Sequence, residues 1–278
     1  MRLAYSTNAY TRSELPAALR AIAALGYDGA EILCDRPHWF PGEVTEAELE
    51  DIAALCAELG LGIGNLNANT ANGYFDPPPP ENSFEPALTN PDPTLRRWRQ
   101  DYTIEALRLA SRLGARSVSV TAGRPTPGCP PQTALGHFVD SLQRICEAAA
   151  RFDVRVGIEY EPGLLVERAS EALAVIRRVD SPHLGVNFDI GHSWLNGEPP
   201  RETTRSLAGR IWNVHVEDIA ANKHFHLVPG DGDLPFDEYF AGLRDIDYHG
   251  YLTVELYSYP ERPDAVGGRA LEYLRGVL

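Results

Sequence analysis

A chain of 278 residues, 44% of them hydrophobic, has room for one barrel-sized domain with a sizeable core. Its 39 acidic and 25 basic residues leave a formal charge of −14. That field repels phosphate backbones and anionic lipid, which excludes nucleic acid and membrane surfaces as natural partners. No apolar run is long enough to span a bilayer, and the N-terminus enters a strand-like pattern without a charged lead or apolar h-region. A cytoplasmic location is therefore expected. Cys34, Cys56, Cys129 and Cys146 show no C-x-x-C spacing, and Cys56 and Cys146 fall in apolar helical stripes, so they read as core thiols rather than a disulfide framework.

Strand and helix signals alternate along the chain. LAYSTNAY (3–10) is strand-like, a helix follows over 13–25, and GAEILC (29–34) is a second strand. The helix over 45–60 opens with a capping box, Thr45 to Glu48, and carries a stripe of Leu49, Ile52, Ala53 and Cys56. LGIGNLNAN (61–69) is a third strand, 93–114 a helix, SVSVTAG (117–123) a fourth strand and 132–152 a helix. RVGIEY (155–160), LGVNFD (184–189), IWNVHV (211–216) and YLTVEL (251–256) supply four more strands, with helices starting near Ser170 and Pro200, over 236–243 and at the C-terminus. Short apolar strands alternating with helices imply parallel pairing and burial on both faces. Eight such units in 278 residues predict a single-domain (β/α)8 barrel over 1–278. A doubly wound sheet is disfavoured because no G-x-G-x-x-G follows the first strand. Two segments exceed a plain connection, the proline-rich 71–92 and 217–235. Both follow strands, so both are expected as active-site loops at the C-terminal face, the first as a lid.

Four polar residues interrupt strands that should otherwise be apolar. Glu159, Asp189, His215 and Glu255 each sit at the C-terminal end of one of the last four strands. Neighbouring strands lie about 5 Å apart, so inward side chains from four adjacent ends can meet at one point. Singly, a carboxylate there can cap a helix or pair with arginine, as expected for Glu217 and Asp218, and a lone histidine can be a satisfied core residue. Three buried carboxylates together repel one another unless a cation lies between them. The set therefore predicts one divalent metal ion. Three oxygen donors and one imidazole suit Mn²⁺ or Mg²⁺ best and tolerate Co²⁺ or Zn²⁺. His192, in D-I-G-H, should reach over the ion. His226 and His224 fall in the loop after the seventh strand, and Glu161 shares the parity of Glu159. These four, with Asn67 on the third strand, are candidate substrate-binding residues. Asn8, Trp39 and Trp194 can contact a polyol but fit rim packing equally well.

At these residues the sequence resembles the xylose-isomerase-like barrel superfamily, which contains sugar isomerases and epimerases, inosose and dehydroshikimate dehydratases and apurinic endonucleases. The matching features, in order, are GYDGAEI (26–32), LGA (113–115), Glu159, D-I-G-H, His215, PGDGD (229–233) and Glu255, and they span nearly the whole chain. The resemblance implies metal binding by Glu159, Asp189, His215 and Glu255, acid and base roles for the two glutamates, and contact between His192 and sugar oxygens. Xylose isomerases proper place a lysine where this chain has Glu161, which speaks against a hydride shift. Histidines expected for further endonuclease zinc ions are missing from the second to fourth strands, although His192, His224 and His226 match one such site.

The expected activity is a metal-dependent isomerase or epimerase acting on a sugar, ketose or cyclitol. Glu159 and Glu255 would move protons through a metal-stabilised enediolate. A dehydratase shares the same site. An endonuclease-like hydrolase is disfavoured by the charge, and a non-catalytic metal or polyol carrier is the alternative outside catalysis. PGDGD is a poor phosphate cradle because Asp231 and Asp233 oppose an anion, which favours an unphosphorylated substrate. A homodimer is a fair expectation from exposed barrel helices.

Overall fold

The computed structural model describes all 278 residues. In chain order it contains β1 (Arg2–Ser6), α1 (Leu15–Leu25), β2 (Gly29–Leu33), α2 (Glu46–Leu59), β3 (Gly62–Asn67), α3 (Pro93–Leu113) and β4 (Ser117–Val120). Next come α4 (Pro131–Phe152), β5 (Arg155–Ile158), α5 (Ala169–Val179), β6 (Leu184–Asp189), α6 (Ile190–Leu195), α7 (Pro200–Ser206) and β7 (Ile211–Val216). The chain ends with β8 (Asp218–Ala220), β9 (Lys223–Leu227), α8 (Phe236–Asp245), β10 (Tyr251–Val254) and α9 (Pro263–Val277). Eight strands form a closed parallel barrel in the order β1-β10-β7-β6-β5-β4-β3-β2, the (β/α)8 architecture expected from the alternation. No helix is long and apolar enough to cross a membrane.

The helices form where the local signals lie. α2 carries the capping box in both directions, with Thr45 N donating to Glu48 Oε2 at 2.8 Å and Glu48 N to Thr45 Oγ1 at 3.2 Å. It buries Leu49, Ile52, Leu55 and Cys56 and stops at Gly60, whose φ of 64° is left-handed. Because 72 buried hydrophobic residues join in one cluster, a single core runs between barrel and helices. Each fully buried Leu, Ile or Phe in it contributes about 1.5–3 kcal/mol. Tyr251 closes the lower mouth of the barrel. A Cβ on Gly29, Gly62 or Gly64 would collide with its ring, which explains the glycines of LGIGN, and Arg2 stacks beneath it at 4.0 Å.

Several strands are shorter than the sequence suggests. Residues at the upper rim leave the ladder and turn into the mouth, so the first strand ends in a short 3₁₀ turn over Thr7–Tyr10. The segment 217–235 is a two-stranded antiparallel hairpin, β8–β9, followed by the PGDGD turn rather than a plain loop. Asp218 holds that turn: its carboxylate accepts from Ile219 N at 2.9 Å, Gly230 N at 2.9 Å, Gly232 N at 2.8 Å and Leu234 N at 3.1 Å. Asp218 thus anchors a turn instead of capping the next helix. Asp218→Ala would leave four backbone donors without this acceptor and is expected to lower the unfolding free energy by about 2–4 kcal/mol in urea titration. A loss under 0.5 kcal/mol, on the order of a surface substitution, would contradict this account.

Candidate metal centre

The barrel register brings the four strand-end residues together. Asp189 and His215 are paired neighbours on β6 and β7, while Glu159 and Glu255 follow β5 and β10 and still donate their backbone N–H to Val120 O and Val216 O. One potential ligand atom from each of the four lies within 4.8 Å of every other, and all four residues are buried. From His215 Nδ1 the distances are 3.1 Å to Glu159 Oε2, 3.6 Å to Glu255 Oε2 and 3.9 Å to Asp189 Oδ2. Asp189 Oδ2 is buried without any hydrogen-bond donor, and its Oδ1 accepts from His192 N at 2.8 Å. An orphaned carboxylate oxygen beside two further carboxylates and an imidazole nitrogen fits a divalent cation in chemistry and spacing.

A residue that the sequence did not single out fixes His215. Glu31, fully buried on β2, accepts from His215 Nε2 at 2.7 Å, from Ser6 Oγ at 2.8 Å and from Asn65 Nδ2 at 2.7 Å. A carboxylate only accepts, so Nε2 carries the proton and Nδ1 is the atom left for an ion, the usual arrangement behind a metal-ligating histidine. Without a cation present, burial lowers the His215 pKa, but the carboxylates of Glu31, Glu255 and Glu159 outweigh burial and raise it well above the usual imidazole range. The glutamates are held by amides. Asn8 and Asn67 donate to Glu255 Oε1 at 2.8 and 3.1 Å, Asn69 donates to Glu159 Oε2 at 2.8 Å, and Asn187 donates to the same oxygen. Glu159 Oε1 accepts no bond from the chain and faces the cavity that Glu159 lines.

Three histidines form a second group. His192 Nε2 lies 3.1 Å from His224 Nε2, which lies 3.4 Å from His226 Nε2, and His226 Nδ1 is 2.9 Å from the Glu255 carbonyl. Burial pushes the pKa of both His192 and His226 down to about 3, so these rings are neutral at pH 7 and present lone pairs. Glu161 faces the same cavity, with Oε1 3.9 Å from His224 Nδ1; burial and the charges of Glu159 and Asp189 push its pKa well up. Trp39 is packed in the core, whereas Asn8 belongs to the site.

Glu217 corrects an expectation. It is fully buried, caps no helix, meets no arginine, and neither carboxylate oxygen has a donor. Its carboxylate lies against Gly191, where a Cβ would collide with it, and burial followed by the Asp189 charge raises its pKa well above the usual range. Burial therefore favours its neutral form. Glu217→Gln retains the shape and a donor and is expected to stay within about 1 kcal/mol of the parent stability, whereas Glu217→Ala should cost at least about 2 kcal/mol. Urea unfolding of both variants separates the two, and equal losses would argue against a neutral Glu217.

Above these groups lies a cavity of about 460 Å³, large enough for a small-molecule ligand. Its walls include Asn67, Asn69, Glu159, His192, His226 and Glu255, together with Glu81, Asn82 and Phe84 of the 71–92 segment. Asp35 fixes that segment at its base by accepting from Asn72 N at 2.8 Å and Gly73 N at 2.9 Å, and Tyr74 packs on Trp98 with ring centroids 4.5 Å apart.

Comparison with known proteins places this arrangement. Fructoselysine 3-epimerase of Escherichia coli O157:H7 is 28% identical over 283 residues, covering 100% of this chain and 98% of the relative. Among solved structures, a D-tagatose 3-epimerase-like protein superimposes with a TM-score of 0.82 at 23% identity, covering 100% of this chain and 98% of that one. The IOLI protein with a bound zinc atom superimposes with a TM-score of 0.81 at 17% identity, covering 100% of this chain and 98% of that one. The family described as "Xylose isomerase-like TIM barrel" matches residues 19–277, almost the entire barrel. With its strand-end residues gathered at the upper mouth of that barrel, this chain belongs to the xylose isomerase-like TIM barrel family.

Proposed function

We propose that the protein is a metal-dependent epimerase or isomerase of a ketose or related polyol, working by proton transfer at the carbon next to a carbonyl. The observation that carries this reading is the placement of Glu159 and Glu255, three strands apart around the ring, on one four-residue cluster beneath a polar cavity. The full-length likeness to an enzyme named fructoselysine 3-epimerase supports the epimerase form. Glu159, Asp189, His215 and Glu255 would hold one divalent ion, with Mn²⁺ best suited to this donor set; the zinc atom bound by the IOLI protein, which shares the fold, supports a metal in this protein. When bound, the ion supplies a Lewis acid that polarises the substrate carbonyl.

The remaining chemistry belongs to the chain. One of the two glutamates removes the proton α to the carbonyl and the other returns a proton from the opposite side, which inverts that carbon; return to the neighbouring carbon isomerises the sugar. Glu159 has Oε1 free for this, while Asn69 and Asn187 hold its other oxygen. His192, His224 and His226, neutral and clustered, together with Glu161 and Asn67, would hold the sugar hydroxyls. The segments 71–92 and 217–235 would act as active-site loops that limit water access. The test is incubation of Mn²⁺-loaded protein with D-fructose, D-tagatose and D-allulose in deuterium oxide. Deuterium at the carbon adjacent to the carbonyl and appearance of the 3-epimer are expected, both abolished by chelation. Binding without exchange across the panel would favour a carrier, and loss of water from substrate a dehydratase.

A further inference from the structure

The charges at the mouth of the cavity are mostly matched within the chain. Asp35 accepts from Thr70 Oγ1 at 2.8 Å as well as from three backbone amides, and Arg36 is paired with Glu43 at 2.5 Å. Glu81 is exposed at the outer rim, where water solvates it. Arg124 differs: it lines the cavity, forms no ion pair or hydrogen bond within the chain, and has its guanidinium carbon 5.6 Å from the centre of the Phe84 ring. Its side chain is exposed, and among the acids of the cavity its charge acts on Glu161, opposing the rise in that carboxyl's pKa.

Its position is built rather than accidental. Phe84 is buried and holds φ at 56°, a left-handed conformation that costs a bulky residue energy and persists only where its surroundings enforce it. Gly123, just before Arg124, has φ of 79°, and a Cβ there would strike Ala87. Thr89 Oγ1 donates to Ala122 O at 2.8 Å and Leu165 N to Gly123 O at 2.9 Å, so two loops clamp this backbone. The guanidinium therefore stands on an aromatic face beside the strand that leads to Glu159.

We propose that Arg124 is a specificity-determining residue that binds a carboxylate at the far end of the substrate, so that the preferred ligand is a ketose with an acidic terminus. This rests on the function proposed above, since it assumes that the sugar's carbonyl end occupies the metal centre. A guanidinium matches a carboxylate with two parallel bonds. The same guanidinium would also attract a phosphate; the carboxylate is the occupant proposed, and the phosphate is a separate arm of the test.

The test compares three ligands sharing one ketose head, D-fructose, D-fructuronate and D-fructose 6-phosphate, by calorimetric titration of Mn²⁺-loaded protein alongside deuterium exchange. Wild type is expected to bind D-fructuronate about tenfold or more tightly than D-fructose. Arg124→Ala should collapse that ratio toward one, and Arg124→Lys should restore it in part. Equal binding of D-fructuronate and D-fructose by wild type, an unchanged ratio in Arg124→Ala, or a preference for the phosphate would each overturn the proposal. The two ideas fail separately. Arg124-dependent binding of D-fructuronate without any deuterium exchange would leave the carboxylate site standing and remove the epimerase reading.

Discussion

Glu159→Gln and Glu255→Gln are each expected to slow α-proton exchange by about 10²- to 10⁴-fold, the range for loss of a positioned general acid or base. Glutamine keeps the length of the side chain and an oxygen able to face a cation, but it cannot take up or release the proton. At Glu159 the oxygen held by Asn69 and Asn187 is also the one beside His215, so a glutamine keeps its carbonyl oxygen at the cluster. At Glu255 the amides of Asn8 and Asn67 hold Oε1 while Oε2 faces His215, so Glu255→Gln turns its NH2 toward the cluster and should lose metal affinity as well. Metal content, measured by elemental analysis of each variant, separates loss of a ligand from loss of a base. The double variant should be little slower than the slower single, because both residues serve one proton relay. Wild-type exchange in either variant at full metal content would remove that residue from the proton path.

How far the sequence revealed this site depends on what kind of signal each residue leaves. Glu159, Asp189, His215 and Glu255 were legible because ionisable groups at the ends of buried strands contradict the apolar pattern around them, and four contradictions at equivalent positions imply convergence. Glu31 left a weaker trace. It sits inside GAEIL rather than at its end, and its partner His215 is 184 residues away on a strand that is not its neighbour. Only closure of the barrel brings the two across the interior. Asn65, Asn187 and Asn213 were silent for a related reason, since neutral amides carry no charge signature and gain meaning only as a connected network around Glu31 and Glu159. Glu217 was misread because its burial depends on Gly191 lacking a side chain, a contact between separate elements. The β8–β9 hairpin escaped notice because KHFHL has few apolar residues to mark an alternating strand. What folds it is the Asp218 carboxylate gathering the amides of Gly230, Gly232 and Leu234.

Metal binding is expected to release protons, and its apparent affinity to rise with pH. The sign follows from His215. With no ion present, burial opposes its protonation, but Glu31, Glu255 and Glu159 hold the pKa well above the ordinary imidazole value, so at neutral pH both ring nitrogens carry protons. An ion can use Nδ1 only after that proton leaves, so below this pKa the affinity should climb about tenfold per pH unit and level off above it. Titration calorimetry in buffers of different ionisation enthalpy would count the protons, with at least one released near neutral pH. Glu31→Gln tests the cause, because it removes the first of the carboxylates that raise the His215 pKa as well as the acceptor that orients Nε2. The two losses act at opposite ends of the pH range. At high pH the variant should bind metal about 10- to 100-fold more weakly, as for loss of a partner behind a metal-ligating histidine. At low pH the gap should narrow, because a less basic His215 yields its Nδ1 proton more readily, and the plateau should begin at lower pH. Parallel curves separated by a constant factor would mean that Glu31 orients His215 without setting its proton affinity.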